Sequence, residues 1–385
     1  GIYASFKPLQ TGSEVTHLST GSLNSALSWS REFCRWNIFL PRKFELEYIQ
    51  PNKIFGMAIG AAYTYEKLLP FCKSVRLSGF NGAVLIGISK LKGNAEKRRN
   101  KMFSKYNITG IYLDNMRGNE WGQSICRYQA YMEFTDNFAE QKEIILITDV
   151  RDVFFQEDPF DSVPFGAKNF LNSSINLLLF QEGLNDISNE LVTLSNTAPN
   201  FRWMTNIYGY KVFGAFRYKT PLCSGTTIGT KSGLQDYTRA MILEGYLCLK
   251  RNPKKFVKKR GHVCSGGADQ GFHNFLFWSK RLPMGAALKN GDGPVYTVGM
   301  FRGKPARSLN FDQNHLGEVV SPVQRGPECR VPVIHQWDRH NDLIKYVYEK
   351  YDLRAEGLTE KEFLLQLSRG SFTGKASHNS RRGMS

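Results

Sequence analysis

Short apolar runs separated by segments of helical period recur between Lys53 and Asp149, and this alternation restricts the fold more than any other feature of the chain. KIFGMAIG opens at Lys53, Tyr63 to Ser78 has helical spacing, and AVLIGI follows at Ala83 to Ile88. A basic helical stretch around Asn94 to Lys105 leads to GIYL at Gly110 to Leu113; Ile125, Tyr128, Tyr131 and Phe134 then mark a helix within Trp121 to Phe138. Strands alternating with helices predict an α/β fold with a mostly parallel central sheet flanked by helices. The next run, EIILITD at Glu143 to Asp149, is apolar until it ends in charge. That is the pattern of a central strand, and in open α/β sheets ligands bind beyond the carboxyl ends of such strands.

The second half reads as a smaller, mixed subdomain. Strands are expected at Ile175 to Phe180, Lys211 to Phe216 and Thr226 to Gly229, and helices at Ser232 to Cys248 and Asp269 to Trp278. A last apolar run, VPVIHQW at Val331 to Trp337, precedes helix-like pieces at Asn341 to Tyr351 and Thr359 to Leu367. The chain therefore divides into a lead-in (1–50, extended or a peripheral helix), two halves of one α/β unit (51–160 and 161–350), a C-terminal helix (351–368) and a Ser/Gly-rich basic tail (369–385). The tail has the composition of a disordered segment.

With 51 Lys and Arg against 34 Asp and Glu, the net charge of +17 favours anionic partners without choosing among phosphates, nucleic acid, acidic glycan or a membrane surface. The excess concentrates at Lys90 to Lys105, Lys250 to Arg260 and the tail, and clusters of this kind are more often solvated, flexible loops than binding sites. A peripheral membrane or other anionic contact through these clusters stays open. Seven cysteines, with no C-x-x-C pair, exclude a zinc ribbon and a redox motif. Scattered buried thiols are the favoured reading, although bridges among Cys223, Cys248, Cys264 and Cys329 remain possible. No run of about 18 apolar residues is present, so no segment reads as a bilayer span. The first residue is Gly and no signal-peptide pattern follows, which leaves open a preceding anchor and, with it, either a cytoplasmic, membrane-peripheral or a Golgi-lumen setting.

The segment richest in chemistry is ITDVRDVFFQEDPF, Ile147 to Phe160. Asp149 and Asp152 leave an apolar strand with Arg151 between them, and burying such charge is costly unless a cation or hydrogen bonds compensate. Mg²⁺ and Mn²⁺ prefer carboxylate oxygen and share their remaining positions with phosphate and water. The bland alternative is a salt bridge or helix cap through Arg151.

This segment resembles the acidic motif of the GT-A glycosyltransferases, which continues through a few apolar residues to an Asp-Pro, as Val153-Phe154-Phe155 to Asp158-Pro159 do here. It departs in spacing: two residues separate Asp149 from Asp152 where the family has one. The resemblance implies a GT-A fold with a nucleotide-sugar-binding half at 51–160 and an acceptor-binding half at 161–350. It also implies Mn²⁺ or Mg²⁺ as cofactor, a UDP- or GDP-sugar as donor and a glycan or other hydroxyl as acceptor.

By the same resemblance, Asp149, Asp152 and, from VIHQWDRH, His335 become metal ligands, although a lone His is more often structural. Ala58 and Gly60 would lie beneath the base. Arg127, Asp149 and Arg151 would face the diphosphate, with a surface role equally open for Arg127. Ser224 and Gly225 of LCSGTTIGTKSG would form the wall against donor and acceptor. From GGADQGFHNFLF, Asp269 and Gln270 would meet the acceptor, with Asp269 as general base or simply a helix N-cap.

Three rivals stand against this reading. A nucleotidyltransferase that makes nucleotide-sugars would carry a Gly-rich basic loop after its first strand, and AIGAAYTYEK is not one. A nucleic-acid binder would use the charge but leaves DVRD and His335 unexplained, so nucleic acid is disfavoured as a partner. A non-catalytic glycan binder on the same fold is the third. GTTIGTKS lacks the Gly-Lys adjacency of a phosphate-binding P-loop, which excludes an ATPase.

Overall fold

Ile54 and Phe55 lie on opposite faces of one sheet, and the same alternation separates Val84 from Leu85 and Leu146 from Ile147. Each strand thus feeds two cores at once, which is why its sequence is apolar at every position rather than at every second one. The computed structural model describes residues 20–34, 38–39, 51–58, 63–113, 120–161, 170–171, 173–182, 192–252, 264, 267–299, 311–312, 318–320 and 330–368.

In chain order the elements begin with α1 (Thr20–Cys34), β1 (Ile38–Phe39), β2 (Lys53–Met57), α2 (Tyr65–Leu77), β3 (Ala83–Ile88), α3 (Asn94–Lys105), β4 (Thr109–Leu113), α4 (Glu120–Phe138), β5 (Ile144–Asp149) and β6 (Val153–Phe155). There follow β7 (Leu177–Gln181), α5 (Ala198–Gly214), β8 (Leu222–Thr230), α6 (Lys231–Arg251), α7 (Ala268–Trp278), β9 (Gly285–Leu288), β10 (Val295–Thr297), β11 (Phe311–Asp312), β12 (Glu318–Val319), β13 (Val333–His335), α8 (Asn341–Lys350) and α9 (Glu360–Ser368).

The main sheet has the order β1-β4-β3-β2-β5-β8-β7-β9. Pairing is parallel from β4 through β5 and again at β7–β9, and antiparallel at β1–β4, β5–β8 and β8–β7. One face is covered by α2, α3 and the C-terminal helices, through Leu68, Val75, Met102, Leu343 and Phe363. The other is covered by α4, α6 and α7, through Phe134, Tyr237, Met241 and Phe272. The expected α/β architecture, a mostly parallel sheet flanked by helices, is the observed one. Within the lead-in, α1 packs its Trp29 ring 5.4 Å from Tyr246 of α6, so this part is a peripheral helix.

A second, three-stranded sheet, β10-β13-β6, turns the chain back over the end of β5. Its register sets Val153 opposite His335 and Thr297 beside His335. The short link Val150–Asp152 between β5 and β6 is therefore bent toward the late strand β13.

Two expectations are corrected. Lys211 to Phe216 is not a strand: it is the last turn of α5 and the turn after it, beyond a break where Gly209 has φ 80° and ψ 165°. Phe213 is buried with Leu194 and Met204 while Lys211 and Val212 are exposed, so a short apolar run was satisfied by helix packing instead of a ladder. Nor are all the thiols scattered, because Cys248 and Cys264 form a disulfide and Cys126 is also disulfide-bonded. Cys72 and Cys223 are free and buried. Among the described residues no helix is long and apolar enough to cross a membrane. Of the basic stretches, positions 253–260 and the tail fall outside the described residues, as do Gly60 and Cys329.

Candidate active site

Asp149 is the last residue of β5 and lies level with Met57 at the end of the neighbouring β2. Asp152 follows after one turn of irregular chain, and the backbone N–H of Gln336 donates to its carbonyl at 2.7 Å, tying this link to the residue after His335. Gln336 adopts φ 64°, a left-handed conformation unfavourable for a residue with a side chain and held here by that contact. The result is a tight grouping: one donor atom each from Asp149, Asp152 and His335 lies within 4.8 Å of the others. His335 Nε2 is 3.8 Å from Asp149 Oδ2 and 3.9 Å from Asp152 Oδ1.

The donor set fits a divalent cation. With metal–donor distances of about 2.0–2.2 Å, two ligands of one ion stand up to roughly 4.4 Å apart, a span that both His335 contacts meet. His335 Nε2 is buried and has no hydrogen-bond partner, which is costly unless something meets it. Its Nδ1 lies 3.3 Å from Cys223 Sγ and 3.5 Å from Thr297 Oγ1. A proton on Nδ1, shared with those groups, leaves the Nε2 lone pair directed at the two carboxylates. Burial pushes the Cys223 thiol well up, so it stays protonated. Gly225 of β8 faces this space closely: a Cβ there would sit 2.7 Å from His335 Nε2 and 2.8 Å from Asp149 Oδ2.

Charge around the cluster is layered. Burial acts to raise Asp152, but neighbouring positive charge, above all the Arg151 guanidinium and then Arg339, outweighs it and holds the carboxyl below its ordinary range. Arg151 does make the ion pair that the bland reading expected, at 3.4 Å from Asp152 Oδ2, and it also reaches Asp338 Oδ2 at 3.3 Å. Burial and the Asp152 charge push Asp338 up to about 6.

Arg127 is 3% exposed, which removes the surface role left open for it. It forks between Asp149 Oδ1 at 2.9 Å and Asp269 Oδ2 at 2.5 Å, and donates to the Ser224 carbonyl at 3.1 Å and hydroxyl at 3.2 Å. Asp269 is not the N-cap residue, which is Gly267 in the left-handed region; it stands in the first turn of α7, where backbone N–H groups of Asp269 and Gln270 also meet its carboxyl. Burial raises Asp269 above its ordinary range, with Arg127 opposing and Asp149 adding to the rise. Ser224 Oγ is 3.4 Å from Asp269 Oδ2, so Ser224, Arg127, Asp149 and Asp269 form one connected set.

Two expected residues lie apart from it. Gln270 donates to Glu182 Oε2 and Asn200 Oδ1, both at 2.8 Å, and so belongs to a buried amide–carboxylate network. Ala58 is buried at the end of β2 and donates its N–H to the Gly87 carbonyl at 3.0 Å, one strand from Asp149. Sequence reasoning missed Glu182, Asn200, Thr297 and Asp338. It also missed Tyr63, whose hydroxyl is raised by burial and feels Arg151, Asp152 and Asp149. Only Asp338 had a usable signal, its place three residues after His335.

Fold and site together define an α/β protein with a candidate divalent-cation centre at the carboxyl edge of its sheet. No protein-family model and no curated protein matches the sequence. Among solved structures, the fold is similar to that of the glycosyltransferase GlyE of Streptococcus pneumoniae TIGR4, at 12% identity and a TM-score of 0.40, over 83% of this chain. The match spans 64% of the length of GlyE. It is also similar to glucosyl-3-phosphoglycerate synthase of Mycobacterium tuberculosis in complex with Mn²⁺, UDP and phosphoglyceric acid, at 12% identity and a TM-score of 0.31, over 63% of this chain and 68% of that one. These likenesses are too distant to assign a function.

Proposed function

We propose that this chain is a divalent-metal-dependent glycosyltransferase, moving a sugar from a nucleoside-diphosphate donor to a glycan or other hydroxyl acceptor. The observation that carries the reading is the convergence of Asp149, Asp152 and the unpartnered Nε2 of His335 just beyond the end of β5. An ion held by these three residues would supply Lewis acidity toward a departing diphosphate.

The remaining residues have roles that follow from their contacts. Arg127 and Arg151 set two guanidinium groups on either side of the acidic cluster, where anionic oxygens of a donor would find charge-assisted hydrogen bonds. Asp269, joined to Asp149 through the Arg127 guanidinium, is the group for accepting the acceptor hydroxyl's proton, and its raised proton affinity suits that task. Ser224 and Gly225 form the wall between them, Gly225 because only a missing Cβ leaves the space open. The Cys248–Cys264 bridge favours an oxidising compartment such as a secretory lumen.

The test is a donor panel. The protein is incubated with UDP-, GDP- and other nucleotide-sugars, with Mn²⁺ or with chelator, and release of nucleoside diphosphate is measured. Metal-dependent release from one donor class, abolished in Asp152→Asn, is expected. Turnover that persists in chelator, or full activity in Asp152→Asn, rules the reading out.

A further inference from the structure

Residues 198–220 contain seven aromatic residues and four cations, Arg202, Lys211, Arg217 and Lys219, without a single acid. Most of this segment is α5 and the turn after it, and its second half lies at the surface. Tyr210 is 74% exposed and Tyr218 is 68% exposed, far beyond the usual condition of such large rings. Lys211, Arg217 and Lys219 are exposed beside them. The rings are held in place: Phe201 meets Tyr210 edge-on at 6.0 Å, and the Arg217 guanidinium lies 4.4 Å over Tyr218. The break at Gly209 separates this outer turn from the inner part of α5.

The inner part packs against the helix that carries Asp269. Trp203 packs so closely on Gly267 that no side chain fits there, and Gly267 precedes the helix that carries Asp269. Beyond the break at Gly209 the chain turns back, since Tyr210 and Phe213 both pack on Phe201, so the exposed rings stand beside the inner part of α5 rather than further along its axis. The surface therefore stands beside the helix segment that packs on Gly267.

We infer that this surface binds an anionic glycan, the outer part of an extended acceptor, with Tyr210 and Tyr218 as stacking platforms and Lys211, Arg217 and Lys219 pairing with carboxylate or sulfate groups. As an acceptor subsite it rests on the glycosyltransferase reading. Charge complementarity selects the anion, because the patch has cations and no carboxylate of its own within 198–220. The side chains select glycan over membrane: a helix that lies in a bilayer interface presents a broad apolar face, and here Val212 is the only exposed large aliphatic residue of the segment.

The experiment measures binding of a heparin-derived octasaccharide to the full chain by calorimetry. A neutral octasaccharide, an oligonucleotide of equal charge and phosphatidylserine vesicles are run in parallel. Tyr210→Ala/Tyr218→Ala and Lys211→Ala/Arg217→Ala should each weaken octasaccharide binding roughly tenfold or more, as loss of anchoring Tyr or Arg side chains does. The pair Lys97→Ala/Lys101→Ala, exposed on α3, should change it by less than about twofold, as isolated surface charges do. The inference is overturned if the α3 pair weakens binding as much as the α5 pairs, if the Tyr variants bind like wild type, or if only the oligonucleotide or the vesicles bind. Binding of UDP with Mn²⁺ is measured on the same samples. Its absence, with octasaccharide binding behaving as stated, defeats the catalytic reading while leaving the glycan surface in place.

Discussion

Gly225 and His335 meet backbone to imidazole, and the space between them exists because residue 225 has no Cβ; one placed there would lie 2.7 Å from His335 Nε2. Gly225→Ala should therefore push the imidazole away from Asp149 and Asp152 while leaving the ladder of β8 intact. Mn²⁺ affinity should fall roughly 10–100-fold, the range seen when groups that orient ligands are disturbed. Calorimetric titration with Mn²⁺, with circular dichroism as the folding control, checks this; unchanged affinity in a folded variant would show that His335 does not need the position it occupies.

Arg127 neutralises two carboxylates at once, those of Asp149 and Asp269. Arg127→Met leaves both without their partner, and breaking a buried pair costs about 3–5 kcal/mol, here toward the lower end because Asp149 is partly exposed. Denaturant unfolding measures the loss. Adding Asp269→Asn to Arg127→Met should recover part of it, since one uncompensated charge is then gone. Arg127→Lys should not restore the wild-type stability, because an ammonium lacks the fork that spans Asp149, Asp269 and Ser224.

Asp269→Asn by itself should retain donor and metal binding and lose transfer by about 10²–10⁴-fold, the usual contribution of a positioned acid or base. Donor binding by calorimetry and transfer by product release separate the two effects. Unchanged transfer removes Asp269 as the base.

His273 of α7 gives a pH signature independent of the site's chemistry. Burial, reinforced by the Arg127 charge, depresses it to about 3, and Tyr237 Oη lies 2.7 Å from its Nδ1. Its neutral form is required in the fold, whereas in the unfolded chain it titrates near 6.5. The unfolded state therefore binds the extra proton below about pH 6.5, and this stabilisation, complete above that pH, is lost as the pH falls toward 3. The slope from this residue approaches about 1.4 kcal/mol per pH unit. His273→Gln should lose that component, so the stability gap between wild type and variant narrows on acidification. A gap that stays constant from pH 7 to pH 4.5 contradicts it.

What could be read in advance followed from burial on two faces. Ile144–Ile147 and Val84–Ile88 are apolar at every position because neighbours cover both sides, and a run of that kind announces a central strand. Asp149 and Asp152 were legible for the converse reason, since charge at the end of such a run has to be compensated. Phe213 was not legible: KVFGAF offers an apolar run too short to distinguish strand from helix, and only packing against Leu194 and Met204 decides. Asp338, Glu182 and Asn200 are brought to the site or its margin by chain segments far apart in sequence, which local spacing does not encode. The fork of Arg127 belongs to the same class, since a helix position reveals neither depth of burial nor the two carboxylates it meets.

The central claim is that Asp149, Asp152 and His335 hold one divalent ion. Its most direct test is Mn²⁺ binding to the wild-type chain, Asp152→Asn and His335→Gln, followed by electron paramagnetic resonance. The account predicts one Mn²⁺ per wild-type chain and loss of that site in both folded variants. Equal Mn²⁺ binding by all three proteins, or none by the wild type in the presence of UDP, would contradict it.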